Sequence, residues 1–263
     1  MAAIRSPRRA RILRLAAPLA LSLALIALAG CGKKSGDTST LTPGGTSTQG
    51  GTAGTRSDAE RLGSAGTATM TALTEPMDPV HYSYKGEVNV NNEFPREPKS
   101  EPKLGPVTLE ADVDSNDIVI SGVRGDKKID SSAKKTREGD WAMIKMAFLG
   151  APTDVAFTLA FASPCAVPAG TENVAGVDGD KFTFDTRTAT AEQKVGMEAA
   201  AKFLSAQVHH DAIYGWGVVD RVKGRLIRFN FDAELSDKNG HKWKEHHEGE
   251  LTPKKAGGGA AKG

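Results

Sequence analysis

The sequence predicts an α+β domain in which an antiparallel sheet packs over one or two amphipathic helices. Three observations predict it. Stretches of strict apolar and polar alternation are separated by turn residues, helical periodicity follows Thr190 and, more weakly, Ser57, and segments poor in large apolar residues bound the patterned region on both sides.

The first element is a targeting segment. Arg5, Arg8, Arg9, Arg11 and Arg14 precede an apolar run from Leu15 to Ala29, broken only by Pro18 and Ser22. That run is about 15 residues, against the roughly 20 needed to span a bilayer as a permanent helix, and it ends in small residues. Residues 1–30 therefore read as a signal peptide, absent from the mature protein. Leu28-Ala29-Gly30 followed by Cys31 resembles the lipobox of bacterial lipoproteins, and the resemblance implies acylation of the Cys31 thiol with cleavage just before it. An ordinary secretory peptide with an incidental Cys, or a short membrane anchor, is the competing reading. Acyl chains at Cys31 would hold the chain firmly to a membrane, since each buried methylene contributes about 0.8 kcal/mol. Gly32 stands where an inner-membrane retention signal, commonly Asp, would follow the Cys. The resemblance thus implies the outer membrane in a two-membrane bacterium, and the outer face of the cell membrane otherwise.

Loss of the leader changes the charge. The chain carries 34 basic and 32 acidic residues, and the leader removes five Arg and no acid, leaving 29 against 32 and a net charge of −3. Nothing in that balance favours a nucleic-acid partner. Only two cysteines occur, so an acylated Cys31 leaves Cys165 without an intramolecular partner and excludes a disulfide framework. Cys165, beside Ala162-Ser163-Pro164, reads as a small semi-buried hydrophobe.

From Cys31 to Arg56 the chain is almost wholly Gly, Ser, Thr and polar residues, with Leu41 the one large apolar side chain. A flexible tether is expected, spanning roughly 25 to 30 Å as a random coil. Residues 254–263 are Gly, Ala and Lys and read as a disordered tail, which leaves residues 57–253 as a single domain.

Within it, Ser57 to Thr74 is a weak helix candidate, its propensity lowered by Gly63 and Gly66. Tyr82, Tyr84, Val88 and Val90 alternate with Ser83, Lys85, Glu87 and Asn89 as a half-buried strand. Asn91 to Pro106, with four prolines, reads as an exposed loop. Val107, Leu109, Ala111 and Val113 turn through Asp114-Ser115-Asn116-Asp117 into Ile118-Val119-Ile120, a hairpin. Gly139-Asp140-Trp141-Ala142-Met143-Ile144 reads as a turn into a strand, and Ala151 to Ala162 suits either a strand or a short buried helix. Phe182-Thr183-Phe184-Asp185 follows as a short strand.

Thr190 with Gln193 forms a capping-box pattern opening a helix of about five turns that lines Val195, Ala199, Phe203 and Ala206 on one side and ends near His209 to Asp211. The last three strands are Tyr214 to Asp220, Ile227 to Leu235 after a Lys223-Gly224 turn, and His241 to Leu251 after Asp237-Lys238-Asn239-Gly240, the last being polar and read as an edge strand.

This order of elements resembles the LolA-like lipoprotein carriers, most similar to the LppX and LprG branch, which carries a lipobox. Gly139-Asp140-Trp141 and Val219-Asp220 are the closest local matches, and the likeness covers roughly residues 57–253. The resemblance implies a curved half-barrel of antiparallel strands over helices, with an apolar cavity for acyl chains. Trp141, Phe157, Phe161, Phe203, Trp216, Phe229 and Phe231 are the candidate lining residues. The implied function is binding or ferrying a lipid, glycolipid or other amphiphile without catalysis and without a cofactor. A structural or protein-binding envelope lipoprotein with a solid core is the alternative, because cavity wall and packed core use the same apolar face. His241, Glu245 and His247 share one face of a strand with Trp243; a metal site is the less favoured reading of them, a solvated edge the more favoured. No phosphate loop, nucleophile elbow or Ser-His-Asp order stands out.

Replacing Cys31 with Ser should abolish incorporation of labelled fatty acid and leave the uncleaved precursor on a gel; labelling at the wild-type level would contradict the lipobox reading.

Overall fold

The computed structural model describes residues 56–91, 101–134, 150–201 and 208–254. Its first helix, α1 (Asp58–Thr74), forms where the sequence supplies a cap: Glu60 N donates to Ser57 Oγ at 3.3 Å and Ser57 N donates to Glu60 Oε2 at 2.8 Å. Its buried face is Leu62, Ala65, Gly66, Thr69 and Leu73. The glycines that weaken its propensity have a packing reason. A Cβ on Gly66 would lie 2.5 Å from Ala156 Cα, so only glycine lets α1 approach the second helix, α2 (Gly150–Ala162), this closely.

That second helix resolves the ambiguous Ala151 to Ala162 stretch. Val155, Ala156, Thr158, Leu159, Phe161 and Ala162 are all buried, as expected of a helix apolar on nearly every side, and a tight turn, Ser163–Cys165, continues it. The third, α3 (Ala191–Ala201), opens with the expected capping box: Thr190 N donates to Gln193 Oε1 and Gln193 N donates to Thr190 Oγ1. Two expectations for this region need correction. Val195 is 67% exposed and the core contact comes from Met197, while His209 to Asp211 belong to a strand. Strand pairing of Val208, His209 and His210 with Asp237, Ser236 and Leu235 overrides helical continuation there.

Among the described residues nine strands form one antiparallel sheet. They are β1 (Val80–Asn89), β2 (Leu104–Val113), β3 (Asp117–Arg124), β4 (Lys127–Lys134), β5 (Val167–Val174), β6 (Val177–Asp185), β7 (Val208–Asp220), β8 (Leu226–Asp237) and β9 (Lys242–Pro253). Their order is β4-β3-β2-β1-β9-β8-β7-β6-β5, two sequential meanders joined where β1 pairs with β9. Among the described residues the sheet is not closed, and β4 and β5 are its edges. The expectation that the His241 to Leu251 strand is an edge is therefore overturned, because β9 is hydrogen-bonded on both sides. Pro106 belongs to β2, not to the preceding loop; its missing N–H is tolerated near the strand end, where its carbonyl accepts from Gly125 N. The predicted Asp114 turn forms with Asp114 Oδ1 accepting from both Asn116 N and Asp117 N at 2.8 Å. The strand expected at Gly139 to Ile144, the Cys31 tether and the C-terminal tail beyond Lys254 lie outside the described residues.

Helix α1 is fastened to the sheet by specific polar contacts as well as packing. Leu226 N donates to Thr69 Oγ1 at 2.8 Å, and the Thr69 hydroxyl lies 3.1 Å from Leu226 O, all buried. Arg61 pairs with Asp180 on β6, whose other oxygen accepts from Arg221 Nε at 2.7 Å. Although burial opposes it, these two guanidinium partners hold the Asp180 carboxyl below the usual carboxylate range.

Thr69→Val preserves shape and removes the hydroxyl, leaving buried backbone groups of Leu226 short of a partner at a cost of about 1–3 kcal/mol. Thermal denaturation should therefore show a lowered Tm for Thr69→Val and a near-native one for Thr69→Ser; a Val variant as stable as the wild type would remove this contact from the account.

Candidate functional site

The sheet face toward the helices is identified by Gly217, where a Cβ would come within 3.4 Å of Leu62 Cδ1 on α1. Strand registers place residues side by side across this face. Tyr84, Gly249, Phe229 and Gly217 form one row, and Gly86, His247, Phe231 and Gly215 form the next. Each large side chain thus sits beside a glycine, and the space is used. A Cβ on Gly249 would stand 2.5 Å from the Phe229 ring, and one on Gly215 would stand 2.5 Å from Phe231 Cβ. The Tyr84 hydroxyl occupies the corresponding space at Gly86. The Phe229 and Tyr84 rings therefore lie down along the sheet. Phe231 is flanked by Phe184 and Phe229, with ring centroids 6.1 and 5.9 Å away.

A polar row runs through the same face. The Tyr84 hydroxyl and His247 Nδ1 are 3.0 Å apart, and His247 Nε2 lies 3.5 Å from Glu245 Oε2. Glu245 Oε1 accepts from Trp243 Nε1 at 2.9 Å and from Asn89 N at 3.1 Å. The His247 ring stacks on Phe231 at 4.8 Å. Glu245 and His247 are each 1% exposed, and a carboxylate so buried is tolerable only with several donors around it. The Asn89 contact is where β1 parts from β9. Their ladder ends at Glu87 and His246, and beyond it the Glu245 carboxylate takes the N–H that a strand carbonyl would otherwise accept.

The sequence reading met these residues and misplaced them. Trp243, Glu245, His247, Gly249 and Leu251 share one parity, while Lys242, Lys244, His246, Glu248 and Glu250 share the other. The second set is the more charged and faces solvent; the apolar Leu251 at the far end of the first set was the available signal that it turns inward. His241 stands outside β9 and does not join Glu245 and His247; its Nδ1 is 2.9 Å from Asp237 Oδ2. Among the described residues no group of three or more His, Cys, Asp or Glu side chains is placed to hold a metal ion.

The seven candidate lining residues are not brought together as a set. Phe229 and Phe231 lie on the inner face, and Phe161 on α2 stacks on His210 at 5.3 Å and joins the same core. Phe157 is half-buried on α2. Trp216 is on the opposite face, since it pairs with Asn230 between Gly215 and Gly217; it packs against Val174, Val218 and Ile227, with Lys181 Nζ 4.2 Å from its ring centroid. Period-two alternation alone places it there, but its size suggested the core. Trp141 and Phe203 lie outside the described residues. Cys165 is buried, its Sγ 3.9 Å from Met197 Sδ, and burial with the nearby Asp185 charge pushes its thiol up, away from the reactive thiolate.

A shallow, open groove between Asp211, Leu235, Lys242 and Trp243 lies where β7, β8 and β9 meet at one end of the sheet. Trp243 lines it and also donates to Glu245, so it links this groove to the polar row. On the solvent face nearby, Asp232 is paired with Lys244 and His246, which keep its carboxyl low against the opposing effect of partial burial. The inner face as built can offer aromatic and aliphatic surface, with hydrogen-bonding groups concentrated at Tyr84, His247 and Glu245. No protein-family model matches the chain, and comparison with curated proteins gives no match either.

Proposed function

We propose that the chain is a membrane-anchored extracytoplasmic lipoprotein whose sheet curves as a half-barrel over its helices and takes the apolar chains of a lipid, glycolipid or similar amphiphile, without covalent chemistry. The observation that carries this reading is the flattened inner wall. Aromatic side chains that stand away from a sheet interdigitate with the opposite layer, as a solid core requires. Here Phe229 and Tyr84 lie against Gly249 and Gly86 instead, an arrangement that suits a smooth lining along which acyl chains slide. Burial of those chains away from water would supply the driving force for uptake. Among the described residues β4 and β5 end the sheet, and an open sheet has room to part from the helices that a closed barrel does not have.

The lipobox-like leader and tether would keep such a carrier at the membrane that holds its cargo. The competing reading, an envelope lipoprotein with a solid core, predicts a different response to added volume on the inner face. Ala111 on β2 is 1% exposed and lies between Tyr82 and Ile120 in register. In a filled core Ala111→Phe overpacks and costs about 1–3 kcal/mol. In a lined cavity the ring occupies ligand space. The carrier reading predicts that Ala111→Phe keeps a near-native Tm and loses uptake of a fluorescent long-chain fatty acid about ten-fold. A large drop in Tm, with no fatty-acid uptake by the wild type, would establish the solid core instead.

A further inference from the structure

The turn between β8 and β9 holds the single Asn-Gly pair of the chain, Asn239-Gly240; every other asparagine is followed by a residue with a side chain. The turn is built on one carboxylate. Asp237, whose side chain is 1% exposed, accepts through Oδ1 from Asn239 N at 2.8 Å and from His241 N at 3.0 Å. Its Oδ2 lies 2.9 Å from His241 Nδ1 and takes the side-chain amide of Asn239, Nδ2, at 3.3 Å. Although burial opposes it, the His241 and Asn239 hydrogen bonds keep this carboxyl below the usual carboxylate range, so it stays an acceptor for these contacts.

Above this buried hub, Lys238, Asn239 and Gly240 are exposed. Gly240 has φ +85°, and nothing stands within 4 Å of the place a Cβ would take. No side chain, its own or a neighbour's, screens that side of Gly240.

We propose that Asn239 is a site of spontaneous covalent modification, deamidation through a cyclic imide, and that the change unlocks the β8 to β9 turn. Asparagine is among the chemically labile side chains, and a following glycine removes the steric barrier to ring closure. The Gly240 nitrogen attacks Asn239 Cγ: the N–Cγ bond forms, the Cγ–Nδ2 bond breaks, and the Gly240 proton leaves with the amide nitrogen as ammonia. Water then opens the five-membered imide at either carbonyl. One opening gives aspartate; the other gives isoaspartate, with the main chain rerouted through the former side chain. Gly240 N–H donates to Asp237 O at 3.0 Å, so the turn must open before the attack, and that opening sets the pace.

The product differs from asparagine in two ways that the turn cannot absorb. A donor to Asp237 Oδ2 is replaced by a group of like charge. In isoaspartate the backbone also gains a methylene between the two N–H groups that share Asp237 Oδ1, so they no longer fit one oxygen. Loosening then starts at the Ser236 and Lys242 end of the β8 to β9 ladder, in the strand that also pairs with β1. This holds whether the inner face lines a cavity or packs as a solid core.

The test keeps the purified protein at neutral pH for several weeks and reads peptide masses together with enzymatic methylation of isoaspartate. Conversion at Asn239 is expected about ten-fold faster than at Asn173 or Asn230, which precede Val and Phe. The converted fraction should show a lowered Tm and faster amide exchange across Lys242 to His246. Asn239→Gln keeps an amide but closes a larger, slower ring, and should be spared both changes over the same period. Conversion at Asn239 no faster than at Asn173 and Asn230 would overturn the site. A converted fraction with wild-type Tm and exchange would overturn the unlocking of the turn.

Discussion

The whole sheet depends on one seam, the pairing of β1 with β9, because among the described residues it alone joins the β1 to β4 meander to the β5 to β9 meander. Its partners lie far apart in sequence, Val80 opposite Pro253 and Glu87 opposite His246. Long-range antiparallel pairing closes a large loop before contacts repay it, so the register must be strongly specified. The specification is steric. Tyr84 faces Gly249 and His247 faces Gly86, and the Tyr84 hydroxyl reaches His247 Nδ1 diagonally across the seam. A slip by two residues in one direction would oppose Tyr84 to His247, and in the other would set Gly86 against Gly249. A slip by one would turn Glu248 and Glu250 inward.

That seam also determines the character of the inner face. The glycines that admit Tyr84 and His247 are among those against which the rings lie, so the register lock and the smooth wall have a common cause. The buried Glu245 follows from the same geometry, since its carboxylate receives Asn89 N at the point where the seam ends. A polar group in this position costs least where strand pairing would otherwise leave a buried N–H without an acceptor.

Much of this was legible in the sequence, and the rest was not for definite physical reasons. The Thr190 and Gln193 cap, the Asp114 turn and the alternation of β1, β2 and β8 are local signals that the structure carries, except that a register shift at Val218 and Val219 puts Ile227 with Trp216 on the opposite face and Leu226 in the inner core. The edges β4 and β5 went unrecognised because edge strands are exposed on both faces and need no alternation; Lys127 to Lys134 holds only Ile129 and Ala133 as apolar residues. β9 was misread for the converse reason. Its inward Glu245 and His247 are satisfied by Trp243, Asn89 and Tyr84, and partners contributed by other strands leave no trace in a period-two pattern. Gly66 looked like a defect in α1 until α2 was seen to cross there. Trp216 was grouped with Phe229 by size, although parity sets them on opposite faces.

The central claim is that the inner face lines a space for an amphiphile. Native mass spectrometry of the mature chain, prepared from a bacterial envelope without detergent and followed by lipid extraction, tests it most directly. The account predicts a stoichiometric, non-covalent amphiphile above the mass of the acylated polypeptide. A single mass with no such addition, unchanged after incubation with membrane lipids, would contradict it and make the flattened aromatic wall an ordinary core.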